Sequence, residues 1–102
     1  MIFRELEKVG SIIREAISLD ISYAYEDLVF AEHGVLIIQF NDDNPDQLYC
    51  YFHKDCIEKD KNIMLDRLIS TAKGKSIELI MKGSFSMEES EKEGEFTVSF
   101  DA

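Results

Sequence analysis

Between Asp20 and His53 the chain has no lysine and no arginine, while seven carboxylates stand there, at Asp20, Glu26, Asp27, Glu32, Asp42, Asp43 and Asp46. Nucleic acids and anionic lipid surfaces are bound chiefly by cationic side chains that neutralise phosphate. Neither is therefore an expected partner. Cysteine is also scarce. Cys50 and Cys56 are too few for a disulfide framework, and both are expected to be thiols of a cytoplasmic chain. Long apolar runs are missing as well: the longest aliphatic stretch is Val35 to Ile38, far short of the roughly 20 residues that a membrane helix needs. At the start, Arg4, Glu5, Glu7, Lys8, Arg14 and Glu15 leave no room for the apolar core of a signal peptide.

What is present is an ordinary globular composition, with 45% hydrophobic and 31% charged residues in a chain of 102. That length fits one domain, residues 1–102, with no linker and no internal repeat. The net charge of −10 is unevenly spread. Residues 1–19 balance, residues 54–75 lean positive, and the excess of acid sits on 20–53 and 76–102.

Residues 2–19 form the clearest pattern, with Ile2, Leu6, Val9, Ile13 and Ile17 at helical spacing and a polar stripe opposite. Gly10 falls on the apolar side, where a close approach of a neighbouring element explains a residue that otherwise weakens a helix. From Ile21 the period changes to two. Strands are expected at Ile21 to Ala31, interrupted near Glu26-Asp27, then at Val35 to Phe40 and Leu48 to His53. Gly34 supplies the turn between the first two, and Asn41 to Asp46 the next. A second helix is expected to start at Asp60 or Asn62 as N-cap, to bury Leu65, Leu68, Ile69 and Ala72, and to stop at Lys73-Gly74 with a left-handed glycine. Two more strands, Ile77 to Met87 and Phe96 to Phe100, flank the acidic loop Glu88 to Glu95.

The expected fold is thus α+β: a mainly antiparallel five-stranded sheet with two helices on one face, in the order α-β-β-β-α-β-β. Val35, Leu36, Ile37 and Ile38 are apolar at both parities, as in a strand covered on both faces. Two helices cover one face only, so a homodimer is the simplest cover for the other. In acidity, size and element order the chain resembles the type III secretion chaperones, which are small acidic dimers. The resemblance implies a protein-binding role and assigns no residue.

Three chemistries come into question. Cys50, His53 and Cys56 have zinc-ligand chemistry, but Cys50 and His53 point to opposite faces of a strand and only His33 remains as a fourth soft ligand. Asp42 to Asp46 starts like a calcium loop, but Gln47 stands where glycine is required and His53 where a bidentate glutamate is. No cofactor or metal is expected. A thiol or serine enzyme would need a base beside its nucleophile, and only His33 and His53 are available; an enzyme is the less favoured expectation.

The best functional signal is the set Tyr23, Tyr25, Tyr49 and Tyr51, next to Asp42, Asp43 and Asp46. Tyrosines of this kind either pack a sheet or give a partner rigid contact area with a polar tip. The leading expectation is an interaction module, an adaptor, inhibitor or chaperone, that binds a basic or apolar protein segment through these residues. The rivals are a small-ligand or enzymatic site between helix and sheet, and a structural subunit of a larger complex.

Overall fold

The computed structural model describes residues 6–25, 27–89 and 96–101. Two helices and six strands follow in the order α1 (Leu6–Ile17), β1 (Ile21–Tyr25), β2 (Leu28–Ala31), β3 (Leu36–Phe40), β4 (Gln47–His53), α2 (Glu58–Gly74), β5 (Glu78–Glu89) and β6 (Phe96–Asp101). The α+β class holds, while the sheet has six strands rather than five. The expected strand over 21–31 is two strands folded back on each other, with Tyr25 paired to Leu28. The Asp27 carbonyl accepts the Phe40 N–H, which ties this turn to the end of β3. The element order on which the resemblance to the secretion chaperones rests therefore gains a strand before α2.

All six strands lie in one sheet, in chain order. The second correction concerns direction. Four pairings are antiparallel, but β4 and β5 run parallel, Gln47 beside Glu78 and His53 beside Phe85. The cause is α2, which carries the chain from the end of β4 back along the sheet, so that β5 starts beside the beginning of β4.

Side chains alternate between the two faces. On one face Val29, Leu36, Ile38, Leu48, Cys50 and Phe52 pack under Val9, Ile12, Ile13 and Ala16 of α1 and Leu68 and Ala72 of α2. Both helices thus cover the same face. The buried stripe of α1 runs through Val9, Ile12, Ile13 and Ala16, while Leu6, expected within it, is exposed. Ile2 lies outside the described residues. Gly10 is buried, and a Cβ there would come within 3.2 Å of Ile21 Cδ1, so helix and β1 meet at the position where the glycine stands. Lys75 reaches from the end of α2 to Glu15 of α1 at 2.8 Å. Hydrogen bonds from Lys75 and Ser11 hold the Glu15 carboxyl below its usual range, but the pair is exposed and contributes little.

The ends of α2 differ from expectation. The helix starts at Glu58, after Ile57, which gives no side-chain cap; Glu58 and Asp60 place their charges in the first turn, favourable for the helix dipole. Asp60 and Asn62 are inside the helix. So is Gly74, and the left-handed residue that turns the chain is Ser76, with φ 62°. Between β2 and β3 the chain makes a 3₁₀ turn over Glu32–Gly34 instead of the expected tight hairpin turn, and in it His33 and Gly34 both take positive φ, 64° and 62°.

Among the described residues, no helix lies on the other face. Ile37, Tyr51 and Phe85 are buried there, with Leu28, Phe30, Tyr49, Met87 and Val98 around them. The sheet covers them by curling. In a flat sheet β4 and β6 would lie about 9.6 Å apart, two strand spacings, yet the Tyr51 and Phe100 rings meet with centroids 4.5 Å apart. Across the intervening β5, Tyr51 is paired with Gly83, which puts no side chain between them.

Two consequences can be checked by urea denaturation. Gly10→Leu is expected to lower stability by about 1–3 kcal/mol through overpacking against Ile21, whereas Gly10→Ala changes it little, because the gain in helix propensity offsets a small shift of Ile21. Ile37→Ala is expected to cost about 2–5 kcal/mol although no helix covers it; Ile63→Ala, at a site 46% exposed on α2, is expected to stay within about 0.5 kcal/mol.

Candidate functional site

The curl leaves a groove on the concave face, with a volume of about 750 Å³. One wall is built by Tyr23 and Tyr25 of β1 with Phe30 of β2, the other by Met87, Val98 and Phe100 of β5 and β6. A flat six-stranded sheet would hold β1 and β6 about 24 Å apart; their sharing of one groove measures how far the sheet bends. The lining is mainly apolar, which suits burial of an apolar surface.

The local reason for the β1 wall is a bulge. The register shifts between Ile21 and Tyr23, and the Ser22 hydroxyl donates to the Phe30 and Ala31 carbonyls at 3.2 and 3.3 Å. Ile21 can therefore point into the helix-covered core while Tyr23 and Tyr25 both point to the concave side. Their rings stack with centroids 6.5 Å apart, and Tyr23 also leans on Phe30 at 5.9 Å.

The four tyrosines expected at a binding surface thus share one face but differ in setting. Tyr23 and Tyr25 are 58% and 55% exposed, while Tyr51 is buried on the floor and Tyr49 half-buried beside it. The Tyr51 hydroxyl donates to Gln39 Oε1 at 3.1 Å, and Gln39 Nε2 donates to Asp27 Oδ2 at 2.8 Å. Burial raises the Tyr51 phenol above its ordinary pKa, with smaller contributions from Tyr49 and Asp27. Tyr49 accepts a hydrogen bond from Asn41 Nδ2 at 3.1 Å, and the Lys82 ammonium sits 4.3 Å from its ring centre.

Asp42, Asp43 and Asp46 are exposed in the β3–β4 turn. The asparagines organise this turn: Asn41 Oδ1 accepts the Asp43 N–H and Asn44 Oδ1 accepts the Asp46 N–H, both at 2.9 Å. With the turn shaped by neutral side chains, the aspartates are placed outward at the same end of the sheet as Tyr25 and Asp27. Leu28, Phe30, Met87, Val98 and Phe100 belong to the same face and were not singled out from sequence. Their parity in alternating strands was visible; the bend that brings β6 opposite β1 was not.

Cys50 and His53 lie on opposite faces of β4. Cys50 is in the helix-covered core, and His53 stands edge-on to Phe85 at 5.2 Å. The Asp55 N–H donates to His53 Nδ1 at 3.0 Å. The Asp55 carboxylate, 3.8 Å from the same nitrogen, is too distant for a hydrogen bond. Among the described residues, no cluster of three or more His, Cys, Asp or Glu side chains is placed to hold a metal ion, and no helix is long and apolar enough to cross a membrane. Comparison with family models, curated proteins and solved structures finds no match to this chain.

Burial pushes the Cys50 thiol up to about 12. Burial also raises Cys56, with Asp60 adding to the shift and Lys61 opposing it. The neutral Cys50 thiol supports the fold fully below its unfolded pKa of about 8.5, and that support is lost as pH rises from there toward 12. Stability should therefore fall with pH in this window by up to about 1.4 kcal/mol per unit from this group. Cys50→Ala is expected to start less stable, through the small cavity, and to show a flatter slope above pH 9; equal slopes in urea titrations of the two proteins would contradict the assignment.

Proposed function

We propose that this protein is an interaction module that binds a basic or apolar protein segment on the concave face of its sheet. One observation carries the reading: Tyr23, Tyr25 and Phe100 are 58%, 55% and 40% exposed around an apolar groove on the face that no helix covers. Aromatic rings of this kind give contact area at low entropy cost. The acidic stretch 20–53, with no cation of its own, surrounds β1 and supplies long-range attraction for a basic partner, an effect that raises association rates at low salt.

A second occupant fits the same face. Another copy of the chain would present α2, whose segment 54–75 leans positive and exposes Ile57 and Ile63. A homodimer formed this way would set α2 of one protomer against the concave sheet of its partner.

Affinity capture from lysate of the source cell at low salt, followed by mass spectrometry, is expected to recover a protein partner with the wild-type chain and to lose it with Tyr23→Ser/Tyr25→Ser. Because the two rings also pack on each other and on Phe30, urea denaturation of the variant checks that it is folded in the assay. Loss of the partner at high salt is expected from the charge. Recovery that is equal with wild type and variant would remove the concave face from the reading. Light scattering at micromolar concentration separates the two occupants, since a homodimer doubles the 11.8 kDa of the chain.

A further inference from the structure

We propose that the partner segment is held as an added strand on the free edge of β1, an extended stretch in which apolar residues alternate with lysine or arginine. This rests on the interaction reading above. Among the described residues β1 pairs with β2 alone, and none of them places a strand beside its other edge. Exposed edges are ordinarily guarded by lysine, proline or an inward charge. The residues Ile21-Ser22-Tyr23-Ala24-Tyr25 include none of these, and the last four are exposed. The guard that is present, the bulge at Ser22, disturbs only the start of the strand and leaves Tyr23–Tyr25 in regular register with Phe30, Val29 and Leu28.

An added strand places alternate side chains on opposite faces. Those on the concave side would stand next to Tyr23 and Tyr25 as cross-strand neighbours and point into the groove bounded by Phe100 and Val98. This is the apolar half of the alternation. The other half points to the opposite face, beside Asp20 and the edge of α1 that carries Glu7 and Arg14, where polar side chains fit. Positive charge on them is favoured by the carboxylates at the two ends of β1: Asp20, bonded to Arg14 at 2.8 Å, and Glu32, whose carboxylate accepts the Asp20 N–H, at one end, and Asp27 at the other. No lysine or arginine occurs between them. β6 is also an edge, but it lies outside the 20–53 stretch, which makes β1 the edge that a basic strand prefers. As an added strand a second copy could offer only its own edges, β1 or β6, which lie in the two acidic segments 20–53 and 76–102, so a separate basic segment is the occupant that the charges select.

The test uses a synthetic alternating valine–lysine peptide, followed by fluorescence anisotropy and by amide exchange of the full chain at low salt. Binding is expected to slow exchange at amides within Tyr23–Tyr25. Two N-methylated peptides discriminate further, one methylated at the odd amides and one at the even. In an added strand only one of these sets faces β1, so one peptide should weaken by about tenfold or more and the other should bind nearly as the parent does. A parent peptide that binds, is lost with Tyr23→Ser/Tyr25→Ser and is indifferent to both methylations would overturn strand addition while leaving the interaction reading intact. No binding of the parent, or binding unaffected by the tyrosine variant, overturns both. Protection of the β1 amides in a peptide-free homodimer would give the edge to a second copy and overturn the proposal.

Discussion

Ile37 and Ile38 are neighbours on β3, point to opposite faces of the sheet, and are both fully buried. The same holds one strand over, where Tyr51 and Phe52 are buried back to back on β4. A sheet whose centre is apolar on both sides must be covered twice, since each large side chain left in water forfeits roughly 1.5–3 kcal/mol. Here the two covers are of different kinds. One is a layer of two helices, and the other is the sheet's own outer strands, bent over until Phe100 rests on Tyr51. The first cover is closed, whereas the second stops short and leaves the groove between β1 and β6.

That asymmetry explains the distribution of polar groups. Ser84, Ser86, Thr97 and Ser99 lie at the parity of the helix-covered face, on the hairpin of β5 and β6, which runs on past the end of β4. Their partners in alternation, Phe85, Met87, Val98 and Phe100, face the concavity. A hairpin wet on one side and apolar on the other is thus the wing that completes the curl. On the concave floor one polar thread runs from Tyr51 through Gln39 to Asp27 and another joins Tyr49 to Asn41 and Gln47, and the buried Tyr51 hydroxyl thus has a partner, as burial demands.

Much of this was legible in the residues. The double burial of β3 followed from Val35 to Ile38 being apolar at both parities, and the common side of Tyr23 with Tyr25, and of Tyr49 with Tyr51, from their spacing within strands; that both pairs share one face came from the strand pairing. The two-helix layer and the close contact at Gly10 were equally open to a reader of the periodicity. The expectation of a second chain over the other face took the sheet as flat; the curl covers Ile37, Tyr51 and Phe85 and leaves a groove beside them. Curvature comes from a bulge at Ser22, a second at Lys82 between the pairs Cys50–Met81 and Tyr51–Gly83, and the right-handed twist of strands. A bulge is an extra residue in an otherwise good alternation, which a parity count absorbs without notice. The parallel joint was hidden because direction depends on which end of the sheet a helix returns to. The starting point of α2 was missed since Glu58-Lys59 is polar in helix and loop alike, and the left-handed turn at Ser76 because Gly74, two residues earlier, offered the cheaper site.

The parallel pairing of β4 with β5 bears on how the chain reaches this state. Every other neighbour in the sheet is joined by a short turn or by the single hairpin after β5, so its contacts are close in sequence. Gln47 and Glu78, by contrast, are brought together across the whole of α2. The entropy of closing that loop must be spent before the pairing returns anything, and pairings of this kind slow folding. The strands β1 to β4 form a local meander, while Tyr51 and Ile37 stay open until β5 and β6 arrive. A delay at the parallel joint lengthens the exposure of that apolar surface to neighbouring copies, and a large negative charge acts to keep such copies apart.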